Sequence, residues 1–265
     1  MHAFEYHRPA SLKDALALGS QKTEGRYLAG GQSLVQAMKL RLSSPSDLID
    51  LNSLGDLKTL KAEGNSVTVG AMVRHAEVAA SSAVKKAIPA LAALAGMIGD
   101  RQVRHMGTIG GSLANNDPAA DYPAAVLGLG ATIVTSKRRI EGDKFFKGLY
   151  ETALEPGEMI TAVSFPVPRR AAYMKFKNPA SRFAIVGVFV ADFAQGARVG
   201  VTGAGPCAFR QADMEKALSA KFAPESVAGI KVKADGLNND LHASPEYRAH
   251  LITVMAKRAV EAAMK

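Results

Sequence analysis

Apolar positions in the first part of the chain change period at a glycine pair. From Ser11 onward, Leu12, Ala15, Leu16 and Leu18 recur at helical spacing, and Asp14 stands three residues after the serine as in a capping box. Tyr27-Leu28-Ala29 predicts a short strand running into Gly30-Gly31. Between Gln32 and Leu42 the residues Leu34, Val35, Met38 and Leu42 return to one helical face. The opening pattern is therefore helix, strand, Gly-Gly turn, helix.

Leu48 to Leu51 and Ser66 to Ala71 predict strands, the second alternating Val67 and Val69 with polar neighbours. A long apolar helical region covers Ser82 to Ile98, and Pro89 must kink or split it. Gly107-Thr108-Ile109-Gly110-Gly111-Ser112 is a second glycine turn, followed by a polar stretch from Asn115 to Pro123. Ala131 to Thr135 and Met159 to Phe165 predict strands, with a turn at Glu155-Pro156-Gly157. The basic, proline-flanked stretch Pro166 to Ala171 marks a boundary between domains at 1–168 and 169–265. Beyond it, Ala172 to Lys177, Phe183 to Phe193 and Arg198 to Thr202 alternate as successive strands, and helices fill most of the rest, ending in Pro245 to Lys265. Strands followed by helices predict an α+β organisation.

The formal net charge of +9 raises the question of nucleic acid. The basic runs Lys137-Arg138-Arg139 and Arg169-Arg170 carry no interleaved aromatics, and the chain has no Trp, so stacking platforms for bases are missing. A basic face for a partner subunit or an acidic cofactor accounts better for the charge. The single cysteine, Cys207, can close no internal disulfide and cannot by itself hold zinc or an iron–sulfur cluster, which indicates a reducing compartment. With neither an export signal nor an apolar span, the expected location is the cytoplasm.

Ser33 and Ser112 sit beside glycines but do not fit Gly-x-Ser-x-Gly. The six histidines, at 2, 7, 75, 105, 242 and 250, lack the pairing of a His-Glu-x-x-His metal site. No catalytic residue and no metal ligand is expected. The glycine pairs are more informative, because glycine backbone can approach a phosphate without Cβ obstruction. Each pair also reads as an ordinary tight turn, and the residues alone leave both readings open. Gly203-Ala204-Gly205-Pro206-Cys207-Ala208 matches the Gly-x-Gly-x-x-Ala dinucleotide fingerprint. Too little chain follows it to supply a parallel sheet, so it reads as a strand-ending turn, with an NAD-dependent oxidoreductase using Gly203, Gly205 and Ala208 as the alternative.

At this point the sequence resembles a family, the FAD-binding medium subunits of molybdenum hydroxylases, which includes aerobic carbon monoxide dehydrogenase and the flavin portion of xanthine dehydrogenase. The resemblance spans nearly the whole chain. It is carried by Tyr27-Leu28-Ala29-Gly30-Gly31-Gln32-Ser33-Leu34, by Val103-Arg104-His105-Met106-Gly107-Thr108-Ile109-Gly110-Gly111-Ser112-Leu113, and by Asn115, Asp117 and Asp121 downstream. Leu154 to Ile160, and Lys175 ahead of Pro179 to Ala184, agree with it. Two departures are Phe183, where xanthine dehydrogenases tend to be acidic, and Ser112, where relatives often have Asn. The first leans towards the bacterial three-subunit branch.

The resemblance implies a vanillyl-alcohol-oxidase (PCMH)-type FAD-binding domain of two α+β subdomains, plus a small C-terminal domain with a three-stranded sheet and helices. It implies that Leu28, Ala29, Gly30, Gly31, Gln32, Ser33 and Leu34, with Thr108, Ile109, Gly110, Gly111 and Ser112, offer backbone N–H groups to the FAD pyrophosphate. Asn115 and Asp121 would meet the ribityl chain or ring, Leu154 would approach the ring, and Lys175 would place positive charge near it. The implied partners are a large subunit with the molybdenum cofactor and a small iron–sulfur subunit, assembled as a dimer of heterotrimers that can lie against the inner face of the membrane. A non-catalytic subunit with a vestigial flavin site is the second alternative.

Overall fold

The computed structural model describes residues 1–265 as an α+β chain whose buried apolar residues form three clusters. The smallest lies under a three-stranded sheet. Strand β1 (Glu5–His7) precedes helix α1 (Leu12–Gln21), whose Ser11 cap accepts from the Asp14 N–H as the sequence predicts. Then come β2 (Arg26–Leu28), α2 (Leu34–Lys39) and β3 (Asp47–Asp50), in the order β1-β3-β2 with both pairings parallel. Ala15, Ile49, Leu51, Leu54, Leu57, Met72 and Met159 fill this core. Helix α2 is shorter than the predicted Gln32 to Leu42. Gly31 and Arg41 both hold positive φ, at 68° and 60°, which takes the chain out of right-handed helix at each end.

The second and largest core sits against a five-stranded antiparallel sheet. Strands β4 (Leu60–Glu63) and β5 (Ser66–Gly70) lead into α3 (His75–Ala80), α4 (Ser82–Ala87), α5 (Pro89–Gly96), α6 (Arg101–Met106), α7 (Ile109–Asn115) and α8 (Tyr122–Leu129). Pro89 splits the predicted long helix, standing in the first turn of α5, where its missing N–H costs nothing. Strands β6 (Thr132–Thr135) and β7 (Arg139–Glu141), a small hairpin of β8 (Phe146–Gly148) and β9 (Glu151–Thr152), and β10 (Ile160–Pro166) complete the lobe, in the order β4-β5-β10-β6-β7. The second glycine turn is a helix start: Thr108 caps α7, and Gly110 and Gly111 lie in its first turn.

The third core covers β11 (Arg170–Lys177), β12 (Ala184–Phe193), β13 (Gly196–Thr202) and β14 (Phe209–Arg210), with α9 (Ala212–Ala220), α10 (Pro224–Ala228) and α11 (Pro245–Ala263). This sheet has four strands where the resemblance implies three, because the two residues of β14 add to the β13 edge. Nine of the ten residues of β12 are buried, since both faces are covered. Val186, Val188 and Val190 belong to the third core, while Phe189 and Ala191 join the second. All eight residues of α8 are buried as well, and a Cβ on Gly200 of β13 would fall 2.2 Å from the Ala124 carbonyl oxygen. Each fully buried Val, Leu or Phe here contributes roughly 1.5–3 kcal/mol. No helix is long and apolar enough to cross a membrane.

Candidate functional site

The first glycine segment leaves the end of β2 and is held from behind. The Leu28 carbonyl accepts from the Leu51 N–H at 3.0 Å, and the Ala29 carbonyl accepts from Asn52 Nδ2 at 3.2 Å. Asn52 is itself fixed, since its Nδ2 also donates to Asp50 Oδ1 at 2.7 Å, and the Tyr6 hydroxyl donates to the other oxygen of Asp50. Burial works to raise the Asp50 carboxyl, but the donors from Tyr6 and Asn52 outweigh it and leave the group below the ordinary carboxylate range. Past this anchor, the N–H groups of Gly30, Gly31, Gln32, Ser33 and Leu34 have no acceptor within the chain. Five consecutive free donors, four of them on half-buried residues and Ser33 exposed, require water or an acceptor-rich ligand.

The second segment is built the opposite way. The Ile109 N–H donates to the Val73 carbonyl at 3.1 Å and the Gly110 N–H to the Ala71 carbonyl at 2.9 Å. The Gly111 N–H is held by Thr108 Oγ1 at 3.1 Å, and the Ser112 N–H by the Thr108 carbonyl at 3.0 Å. The donors expected from Ile109 to Ser112 are thus spent inside the protein, and of this run only the Thr108 N–H is free. What the segment supplies is a rigid glycine wall. A Cβ on Gly110 would fall 2.6 Å from the Ala71 Cβ, so its backbone sits directly on β5's exit.

Tertiary structure brings the two segments together. A Cβ on Gly30 would lie 2.1 Å from the Met106 carbonyl oxygen and 2.7 Å from Gly107 Cα, and one on Gly111 would lie 3.5 Å from the Ala29 Cβ. Gly107 in turn rests on His75, which is 5% exposed, and a Cβ there would fall 2.6 Å from His75 Nε2. Burial, with the Arg104 charge second, holds the His75 pKa down to about 4, so the ring is neutral. Its centroid is 5.4 Å from that of Tyr122, and both His75 Nδ1 and the Tyr122 hydroxyl are buried without a partner.

Asp121 and Lys175 meet each other. Lys175 Nζ is 2.9 Å from Asp121 Oδ1 and also donates to the carbonyls of Met97 at 3.0 Å and Arg182 at 2.9 Å. The side chains are 2% and 4% exposed, and Tyr173 donates to the same Asp121 oxygen at 2.6 Å. Burial pushes the Asp121 carboxyl up, offset in part by Lys175 and Tyr173. The expected lone cation is therefore half of an ion pair with all three of its donors occupied. Asn115 is the half-buried last residue of α7, and Leu154 is half-buried against the second core. Neither makes a side-chain contact with the glycine segments in the hydrogen-bond network.

The Gly203 to Ala208 turn lacks the setting of a dinucleotide fingerprint. It follows a strand in an antiparallel sheet and leads into β14, with no helix opening on it. Gly203 has φ 82° and is tied down: its N–H donates to Pro118, and Arg248 Nη1 donates to its carbonyl at 2.9 Å. Asn238 Nδ2 donates to the Gly205 carbonyl at 2.7 Å. The turn is structural.

Tyr6, Asp50, Asn52 and His75 were not singled out from sequence. Asp50-Leu51-Asn52 at a strand end is a recognisable turn former. Nothing local marks His75, whose role comes from a neighbour thirty-two positions on in the chain, Gly107.

Residues 2–168 match a family model described as the FAD binding domain in molybdopterin dehydrogenase. The carbon monoxide dehydrogenase medium chain of Afipia carboxidovorans is 35% identical, over 98% of this chain and 96% of that one. The nicotine 6-hydroxylase medium subunit of Paenarthrobacter nicotinovorans is 36% identical, over 97% and 96%. Among solved structures, a chain of reconstituted CO dehydrogenase from Oligotropha carboxidovorans superposes with a TM-score of 0.92 at 33% identity, over 99% of this chain and 98% of that chain.

Proposed function

Because the chain belongs to the family of FAD-binding subunits of molybdenum hydroxylases, we propose that its two glycine segments form one FAD site with divided labour. The protein is the flavoprotein component of an oxidoreductase, and its relatives are medium chains of multi-subunit complexes. The observation that carries the reading is the run of free N–H groups from Gly30 to Leu34, packed against a second glycine wall from Gly107 to Gly111. A pyrophosphate supplies the acceptors those donors lack, and glycine at 30 lets the donor loop seat directly on the Met106–Gly107 backbone.

In this reading Leu28 and Ala29 anchor the donor loop through Asn52, and Gly30 to Leu34 donate. Thr108 to Ser112 shape the opposite wall, with the Thr108 N–H and the Ser112 hydroxyl as further contacts. Asn115, Asp121, Leu154 and Lys175 serve the ribityl and ring end, where the Asp121–Lys175 pair presents a dipole whose net charge is near zero. FAD, when bound, takes electrons from partner centres and gives them to an external acceptor. The chain's own residues bind and orient it and set the polarity around it. The domain division falls at 168, the large partner carries the molybdenum cofactor, the small one carries the iron–sulfur clusters, and the complex works in the cytoplasm as a dimer of heterotrimers. Relatives of near-equal identity are named for carbon monoxide and for nicotine, in keeping with a substrate chosen by another chain.

Purification with its partners tests this. The complex should be yellow, with flavin close to one per chain. Gly111→Leu should abolish flavin retention and Gly205→Leu should keep it; a colourless wild-type complex, or the reverse pattern, overturns the reading.

A further inference from the structure

Between the paired residues Gly148 and Glu151 of the β8–β9 hairpin the chain turns in two residues, Leu149 and Tyr150. Of these only Tyr150 has positive φ, 55°, at the position where a turn of this kind ordinarily takes glycine. A ring this bulky carries a steric cost there that glycine avoids. Packing within the chain does not offset it. Tyr150 is 59% exposed, its ring joins none of the three apolar cores, and its hydroxyl reaches only Asp117 Oδ2, at a long 3.4 Å. The turn is nevertheless held firmly. Asn116, fully buried at the end of α7 with φ 45°, donates through Nδ2 to the carbonyls of both Gly148 and Glu151 at 2.8 Å. Two left-handed residues that are not glycine, one buried and one exposed, thus fix where the Tyr150 phenol stands.

We propose that Tyr150 is a further residue of the flavin site and lays its phenol against the isoalloxazine. The proposal rests on the flavin reading above, in which Asn115, Asp121, Leu154 and Lys175 serve the ring end. Asp117, which the phenol meets, lies between two of those residues. It follows Asn115 by two positions, and its carbonyl accepts from the Ala120 N–H at 3.0 Å, in the turn that leads directly into Asp121. The Asp117 side chain is fixed as well, since its Oδ1 accepts from the Ala119 N–H at 2.8 Å. On the other side, Tyr150 leads through β9 into Leu154. The Tyr150–Asp117 contact therefore joins the two segments that carry Asn115, Asp121 and Leu154. An aromatic face held there at a steric cost is matched by a flat aromatic ligand, which gains from stacking what the chain's own packing does not supply. The chain has no Trp, and Tyr122 and Tyr173, the tyrosines beside Asp121, are buried in the core, so Tyr150 is the electron-rich ring exposed at that end.

A phenol in contact with a flavin has an optical signature: after photoexcitation an electron passes from the phenol to the ring and returns, which quenches emission with no net reaction. The test uses the full chain loaded with FAD, with flavin content, melting temperature and flavin emission measured on each variant. Tyr150→Phe keeps the ring shape and removes the electron-rich phenol, so flavin content and melting should match wild type while emission rises several-fold. Tyr150→Gly removes the ring and suits the left-handed backbone, so the flavin-free chain should melt no lower than wild type, yet it should hold FAD several-fold more weakly. Wild-type emission in Tyr150→Phe overturns the proposal. So does full FAD affinity in Tyr150→Gly, or a flavin-free Tyr150→Gly chain less stable than wild type, which would mean that the tyrosine serves the fold. Failure of the flavin reading would appear separately, as wild-type protein without FAD.

Discussion

Gly30 and Met106 belong to different lobes, yet the space where a Gly30 Cβ would stand is 2.1 Å from the Met106 carbonyl oxygen. The obstacle is backbone at the end of α6, which no side-chain rotation can move. This contact seats the two glycine segments directly against each other.

Gly30→Ala must therefore push the two lobes apart locally. The expected cost is about 1–3 kcal/mol, the range for overpacked interiors, together with loss of bound flavin. Gly55, around which a Cβ meets nothing within 4 Å, supplies the control, and Gly55→Ala should melt and bind as wild type. Melting curves and flavin content after desalting decide it; stoichiometric flavin in Gly30→Ala would show that the close approach is dispensable.

The Asp121–Lys175 pair makes a second prediction, on stability. Removing one partner leaves the other buried without compensation, so Asp121→Ala should destabilise the flavin-free chain by about 3–5 kcal/mol. Two carbonyls still hold the Lys175 ammonium, which places the effect at the lower end. In the double change Asp121→Asn, Lys175→Met no charge remains, and part of the loss should return. Denaturant titrations of the two variants provide the comparison, and a double variant less stable than Asp121→Ala would mean that the pair is not coupled.

His75 predicts a pH dependence. Its folded pKa is about 4, below the ordinary 6.5, because burial and then Arg104 disfavour the charged ring. Between these values the unfolded chain binds a proton that the folded chain refuses, so this contribution is complete above pH 6.5 and is lost as the pH falls towards 4. The full shift corresponds to roughly 3 kcal/mol, at about 1.4 kcal/mol per pKa unit. His75→Gln should flatten the stability profile over that window, measured by melting at closely spaced pH. An unchanged slope would assign the acid sensitivity to other groups.

Local information alone located most elements. Ser11 and Asp14 cap α1 as their spacing requires, Pro89 ends one helix and starts another, and alternating Val67 and Val69 form β5. These are short-range consequences of rotamers, capping hydroxyls and a missing N–H, and they can be read from a few neighbouring residues. The α+β organisation follows from their order, and the FAD signature from the two glycine segments taken together.

Other features depended on residues distant in the chain. Thr108 to Ser112 reads as a second donor loop, but the carbonyls of Val73 and Ala71, which no local pattern connects to it, take the Ile109 and Gly110 N–H groups, while Thr108 takes those of Gly111 and Ser112. Lys175 reads as a lone cation until folding seats Asp121 against it. The sequence by itself determined that two glycine segments could pack backbone against backbone, because only glycine lacks the Cβ that would obstruct so close an approach. Which of the two glycine segments would keep its donors free was decided by the tertiary structure alone, since a backbone N–H is available only when the fold places no carbonyl within its reach.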